Sequence, residues 1–177
     1  MTSIASSLVA VKRGMYTQPD GSRPSPERWY RAVTWVHDRI FAAGGDHIPD
    51  TWQEFSRQTG IDAVLHLRPG MPAAFRGVPP RSFLWLDLDG EGQVDDSARW
   101  LAACFLKECL GQGQAVLLHC SLGRHRGRWA FVAYRIATGR STQAALREAA
   151  QRPWMGPYHT DPSAWEAFES RVRAGDI

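Results

Sequence analysis

Long apolar runs are missing from this 177-residue chain: the longest uncharged one, Trp129–Tyr134, falls far short of the roughly 18–20 residues that a membrane-spanning helix needs. A transmembrane protein is thereby excluded. Basic residues are missing from Met1–Val11, ahead of and within the short apolar patch Leu8–Val11, so no secretory signal peptide is expected. Cysteine is scarce. Cys104, Cys109 and Cys120 are too few for a disulfide framework in a chain of this length, which fits a reducing, cytoplasmic location. No CxxC or Cys/His pair has zinc-ligand spacing, and neither a metal nor an organic cofactor is expected. Lysine is nearly absent: Lys12 and Lys107 are the two exceptions among 21 basic residues, the rest being arginine. Arginine pairs bidentately with carboxylates and phosphates, but a net charge of +3 says only that anionic partners are not repelled.

What remains is ordinary globular material, 44% apolar and 22% charged, of a length that suits one domain. Residues 1–32 read as an N-terminal extension, because Gln18–Pro26 is rich in turn and polyproline signals. Residues 33–177 read as the folded domain. Val33–Val36 and Ile40–Ala43 flank His37-Asp38-Arg39 as a hairpin closed by Gly44-Gly45. Ala63–Leu67, Phe83–Leu88 and Ala115–His119 are compact apolar runs bounded by turn residues, as expected of strands covered on both faces. Helices alternate with them. One runs over Pro49–Thr59, capped by Pro49-Asp50-Thr51, with Trp52, Phe55 and Thr59 on one face. The next begins near Asp95-Asp96-Ser97 and stops at Gly111, with Ala98, Leu101, Ala102, Phe105, Leu106 and Cys109 as its apolar stripe. Gly127–Thr138 is apolar nearly all round and predicts a buried helix; Ser141 caps another through Gln151, and Asp161 or Ser163 opens the last. The order predicts a single α/β domain with a central, mainly parallel sheet of four to five strands flanked by helices.

The most informative stretch is His119-Cys120-Ser121-Leu122-Gly123-Arg124-His125-Arg126, between a strand and the buried helix. In an open α/β sheet, ligands sit at the carboxyl ends of strands. A loop feeding a helix N-terminus turns its amides toward one centre, and the helix dipole reinforces them, which suits phosphate or sulfate. A cysteine at the mouth of such a loop has its thiolate stabilised by the same groups. Arg126 reaches back to grip two phosphoryl oxygens, and Gly123 lets the backbone fold tightly. These residue types fit in-line attack of a thiolate on a bound phosphomonoester. On that reading Ser121, Leu122, Gly123, Arg124, His125 and Arg126 bind the phosphate.

His119-Cys120, Gly123 and Arg126 at this spacing resemble the HCxxGxxR signature of cysteine-dependent protein tyrosine phosphatases, and the length and element order resemble their dual-specificity, atypical, bacterial-like branch. Such a pattern arises by chance in roughly one chain in several thousand. The resemblance covers about residues 33–170, including Ala42–Gly45 and Ile61–Arg68. It implies a dual-specificity-phosphatase-like fold, Cys120 as nucleophile, Arg126 as phosphate clamp and a general acid about thirty residues upstream. Asp89, 31 residues before Cys120 and followed by Gly90-Glu91-Gly92, is the candidate; Asp87 is its rival, on the same side of the strand, while Asp95 and Asp96 read as helix caps. The chain departs from the pattern at Gly127, where members carry Ser or Thr to help the thiolate leave, and at His125. It also lacks an Asn before the last helix, a place His159 or Thr160 would take.

Plainer roles fall to other residues. His119 orients the loop, His66 is a satisfied core histidine, and Cys104 and Cys109 are core thiols. Trp52, Trp100 and Trp129 fit the core, leaving Trp29, Trp35 and Trp154 for a pocket rim. The expected partner is a phosphorylated protein, with a phosphoinositide, other phospholipid headgroup or RNA 5′-phosphate as alternatives; nucleic acid enters only through the last. A phosphate-binding module without turnover, motivated by Gly127, and a sulfurtransferase-like cysteine loop are the readings from other classes.

Overall fold

The computed structural model describes residues 33–45, 48, 51–70, 75–90, 94–152 and 161–177. The extension 1–32 with Trp29, and Pro49, Asp50, Glu91, Gly92, Trp154, His159 and Thr160, lie outside the described residues. In chain order the elements are β1 (Thr34–His37), β2 (Ile40–Gly44), α1 (Trp52–Thr59), β3 (Ala63–His66), β4 (Ser82–Trp85), α2 (Asp96–Gly111), β5 (Val116–Cys120), α3 (His125–Ala137), α4 (Thr142–Ala150) and α5 (Pro162–Ala174). One five-stranded sheet has the order β1-β2-β5-β3-β4. Only the β1–β2 hairpin is antiparallel; β2, β5, β3 and β4 run parallel, as expected. The hairpin turns at Asp38, whose φ of 45° suits the local hydrogen bonding that lets aspartate visit the left-handed region.

The central strand explains the layering. All five residues of β5 are buried, and alternation sends successive side chains to opposite faces. Val116, Leu118 and Cys120 join a core with residues of α2, α3, α4 and α5, including the fully buried Trp129, Phe131, Trp165 and Phe168. Leu117 joins Trp52 and Phe55 of α1 on the other face. Full burial of each such side chain is worth roughly 1.5–3 kcal/mol, so the many-helix face dominates. Cap chemistry sets the helix starts: Asp95 accepts from the Ala98 N–H at 2.8 Å, Ser141 from Ala144 at 3.3 Å and Asp161 from Ser163 at 2.9 Å.

Several expectations are corrected. The strand predicted over Phe83–Leu88 ends at Trp85. Leu86 still donates to the His66 carbonyl at 2.9 Å, but the Leu88 carbonyl accepts a side-chain donor instead of a ladder bond. This strand is also not covered on both faces: it is the sheet edge, and each of its residues is only partly buried. Leu101 is 51% exposed, because the buried stripe of α2 runs through Ala102, Ala103, Leu106, Cys109 and Leu110. Thr51 makes no side-chain cap on α1. Trp100 and Cys104 are partly, not fully, buried. Trp35 is no pocket-rim residue: it pairs with Phe41, which faces Leu117, well short of the strand end at Cys120. The buried helix begins at His125, not Gly127, so the preceding loop is shorter and Arg126 lies in the first helical turn.

Candidate active site

β5 delivers Cys120, 2% exposed, to the carboxyl end of the sheet beside Gly44, its register partner on β2. The chain then bends through Ser121–Arg124 into α3. Gly123 has φ +65° and its N–H points back to the Cys120 carbonyl at 3.3 Å, closing a tight turn. Arg124 places no side-chain cap on the helix, and no acid stands in its first turn. The amides and dipole at that end therefore face no competing carboxylate from the helix's own start. His125 and Arg126 occupy that turn, and Leu122, 54% exposed, stands outward from the loop.

The loop is fastened to the end of β2, which Arg68 holds in turn. Gly45 donates to the Ser121 carbonyl at 2.8 Å, tying the loop to the end of β2. A Cβ on Gly44 would lie 2.3 Å from the Leu122 carbonyl carbon, and one on Gly123 would lie 2.5 Å from the Gly44 nitrogen. Two glycines thus pack backbone on backbone, and both are required by contact rather than by the turn alone. Arg68, just past β3, donates from Nη1 to the Gly45 carbonyl at 3.2 Å.

Arg126 joins two halves of the site. Its Nη2 donates to Ser121 Oγ at 2.7 Å and its Nη1 to the Leu88 carbonyl at 2.7 Å. The residue after Leu88 is Asp89, exposed at a bend. The two rival acids differ in surroundings. Asp87 Oδ1 accepts the Gly70 N–H at 3.0 Å and so braces the loop after β3, while Asp89 is the one adjoining the segment that Arg126 holds. Both lie beyond the strand end, so the shared strand side expected of them does not apply.

Two histidines lie beneath the loop. His119 is 0% exposed and His66 3%, and their Nδ1 atoms are 3.1 Å apart. Burial, with the Arg68 and Arg126 guanidiniums nearby, pushes His66 down to about 4. An unfolded imidazole titrates near 6.5, so between those values the unfolded chain binds more protons and stability falls as pH drops. We expect this group to remove on the order of 3 kcal/mol between about pH 6.5 and 4. Urea unfolding of wild type and His66→Phe across that range checks it: an equal loss in the variant would exclude His66 as the source.

The structure brings Cys120, Ser121, Leu122, Gly123, Arg124, His125 and Arg126 into one strand-to-helix turn, with His119 below it. A thiol, convergent amides and a guanidinium fork together can hold a tetrahedral oxyanion against sulfur. Sequence reasoning missed the contact of Gly44 with the loop, the tie from Arg68 and the pairing of His66. The Gly44-Gly45 doublet at a strand end is the one signal for this in the sequence, and by local rules it reads as a turn. Among the described residues no group of His, Cys, Asp and Glu is arranged to hold a metal ion, and no helix is long and apolar enough to cross a membrane.

No protein-family profile matches the chain, and no curated protein matches it. Solved structures do. Human DUSP28 superposes with a TM-score of 0.65 at 16% identity, covering 81% of this chain and 99% of that one. PTPMT1 in complex with PI(5)P gives 0.67 at 13% identity, covering 82% and 99%. A human tyrosine phosphatase-like serine/threonine/tyrosine-interacting protein gives 0.62 at 16%, covering 81% and 97%. The fold is therefore the α/β fold of dual-specificity phosphatases, nearly complete in each comparison.

Proposed function

We propose that this chain is a metal-independent phosphomonoester hydrolase of the cysteine-dependent, dual-specificity type. The observation that carries the proposal is the joint placement of Cys120 at the end of the central strand and Arg126 in the first turn of α3, bonded back to Ser121 at 2.7 Å. The Cys120 thiolate attacks phosphorus in line, the P–O bond to the leaving group breaks, and the Asp89 carboxylic acid protonates the departing oxygen. The Asp89 carboxylate then takes a proton from water. The resulting hydroxide attacks phosphorus, the P–S bond breaks and inorganic phosphate leaves with the thiolate restored. Arg126 and the loop amides stabilise the charge on the equatorial oxygens throughout. The cysteine chemistry requires a free thiol, which supports a reducing, cytoplasmic setting, and a phosphorylated protein is the substrate we favour, with phosphoinositide or RNA 5′-phosphate as its competitors.

Gly127 favours one second reading, a phosphate-binding module with slow or absent turnover. It occupies the position after Arg126 without a hydroxyl to help the thiolate leave. Steady-state and burst kinetics on p-nitrophenyl phosphate in EDTA separate the two. Steady hydrolysis supports the enzyme; a stoichiometric burst followed by a stall makes Gly127 the limit on intermediate breakdown. Phosphate binding with neither burst nor turnover overturns the enzyme and leaves the module.

The choice of acid has its own test. Asp89→Asn is expected to lower kcat by about 10²–10⁴-fold, the range typical of a lost general acid. Asp87→Asn is expected to keep kcat within a few-fold and to loosen the loop at Gly70 instead. Equal losses in kcat, or a larger one at Asp87, would reverse the assignment.

A further inference from the structure

β3 places one imidazole, His66, in an otherwise apolar run, Ala63-Val64-Leu65-His66-Leu67. A buried imidazole is costly unless its nitrogens find partners. In the parallel register His66 stands opposite His119, the residue immediately before Cys120. The rings lie edge to edge and close to coplanar, with centroids 5.1 Å apart at 21°, and Phe83 of β4 lies 6.2 Å from His66 at 28°. Main-chain bonds hold both residues: Leu67 donates to the His119 carbonyl at 2.7 Å and Leu86 to that of His66 at 2.9 Å. The charges acting on His66 are two cations, Arg68 beyond β3 and Arg126 of α3, and with burial they keep it neutral near pH 7.

A hydrogen bond between two Nδ1 atoms holds a single proton between the rings. One ring must carry Nδ1–H and the other must offer an Nδ1 lone pair, with its own proton on Nε2. The tautomer of His119 is thus tied to that of His66. Packing alone does not ask for an imidazole here, since a phenyl ring would fill the same space beside Phe83. We propose that His66 is a positioning residue for the nucleophile loop: its Nδ1–Nδ1 hydrogen bond to His119 sets the tautomer and ring orientation of the residue that leads into Cys120. This role rests on the phosphatase reading of the loop.

The test combines ¹⁵N-histidine NMR of the full chain with p-nitrophenyl phosphate kinetics and calorimetric binding of inorganic phosphate, for wild type, His66→Phe and His66→Asn. Opposite tautomers for His66 and His119 are expected in wild type. In His66→Phe the His119 ring should change tautomer or become a mixture, and kcat should fall about tenfold with KM within about twofold, as when a group supporting an active residue is removed. His66→Asn, which can still hydrogen-bond Nδ1, should recover most of that loss. Identical tautomers on the two wild-type rings, or a folded His66→Phe with wild-type kcat, overturn the proposal. If His66→Phe does not fold, the wild-type tautomers and the Asn variant decide. If wild type binds phosphate without hydrolysing the ester, the enzyme reading fails by itself and the tautomers decide: a changed His119 tautomer in folded His66→Phe, restored in His66→Asn, supports positioning, and an unchanged one overturns it.

Discussion

Replacing Cys120 by serine is expected to reduce hydrolysis of p-nitrophenyl phosphate by at least about a thousandfold while leaving phosphate binding within a few-fold of wild type. A serine hydroxyl at neutral pH is far from ionised, and as an alkoxide it is a poor leaving group from phosphorus, so both halves of the reaction suffer. The groups that bind the oxyanion are elsewhere: the loop amides, and Arg126 with its bonds to Ser121 and Leu88, do not depend on sulfur. Kinetics with a mass-spectrometric search for the phosphocysteine adduct, alongside calorimetric phosphate binding, gives both readouts. Residual turnover within tenfold of wild type would remove Cys120 from the reaction. Loss of binding together with activity would mean that the substitution collapsed the loop, and the nucleophile assignment would then rest on the adduct alone.

Gly44→Ala is expected to cost about 1–3 kcal/mol of stability and at least about tenfold in kcat/KM, although Gly44 lies on another strand and carries no chemistry. The methyl would sit 2.3 Å from the Leu122 carbonyl carbon, 2.5 Å from the Gly123 nitrogen and 2.7 Å from the Leu122 oxygen. All three are backbone atoms of the loop, so no rotamer change relieves the clash. Either β2 separates from the loop, breaking the Gly45–Ser121 bond, or the loop shifts and misaims its amides. Gly111→Ala is the control: its Cβ would meet nothing within 4 Å at the end of α2, and the change should be neutral or slightly stabilising. Thermal unfolding with parallel kinetics checks both variants. Wild-type kcat/KM in a folded Gly44→Ala protein would show that the loop does not depend on this contact.

Local signals made most of the fold legible. The apolar runs at Ala63 and Ala115, the acidic and serine caps at Asp95, Ser141 and Asp161, and the all-round apolar helix around Trp129 and Phe131 each announce themselves within a few residues. Errors arose where a partner distant in sequence replaced a local preference. The chain after Trp85 has the apolar alternation to continue as a strand, yet the Leu88 carbonyl is taken by Arg126 and the Asp87 carboxylate by Gly70. Eight tryptophans suggest a binding surface with Trp35 at its rim, whereas Trp35 pairs with Phe41, level with Leu117 and short of Cys120. Helical periodicity puts Leu101 on the apolar stripe, but the phase that is buried depends on how α2 sits against β5 and α3.

By itself the sequence determined that Cys120 and Arg126 flank a short loop between a buried strand and a buried helix, because strand, turn and helix signals there are contiguous. The tertiary structure alone decided what supports that loop. Which strand neighbours β5 on each side is not written in any window of residues, and sheet order β1-β2-β5-β3-β4 brings Gly44 under Gly123 and His66 beside His119. His66 and His119 are 53 residues apart in the chain, and Arg126 and Leu88 are 38. Contacts at that separation follow from which strands pair and in what register, a choice made by burial of the whole sheet rather than by any local preference.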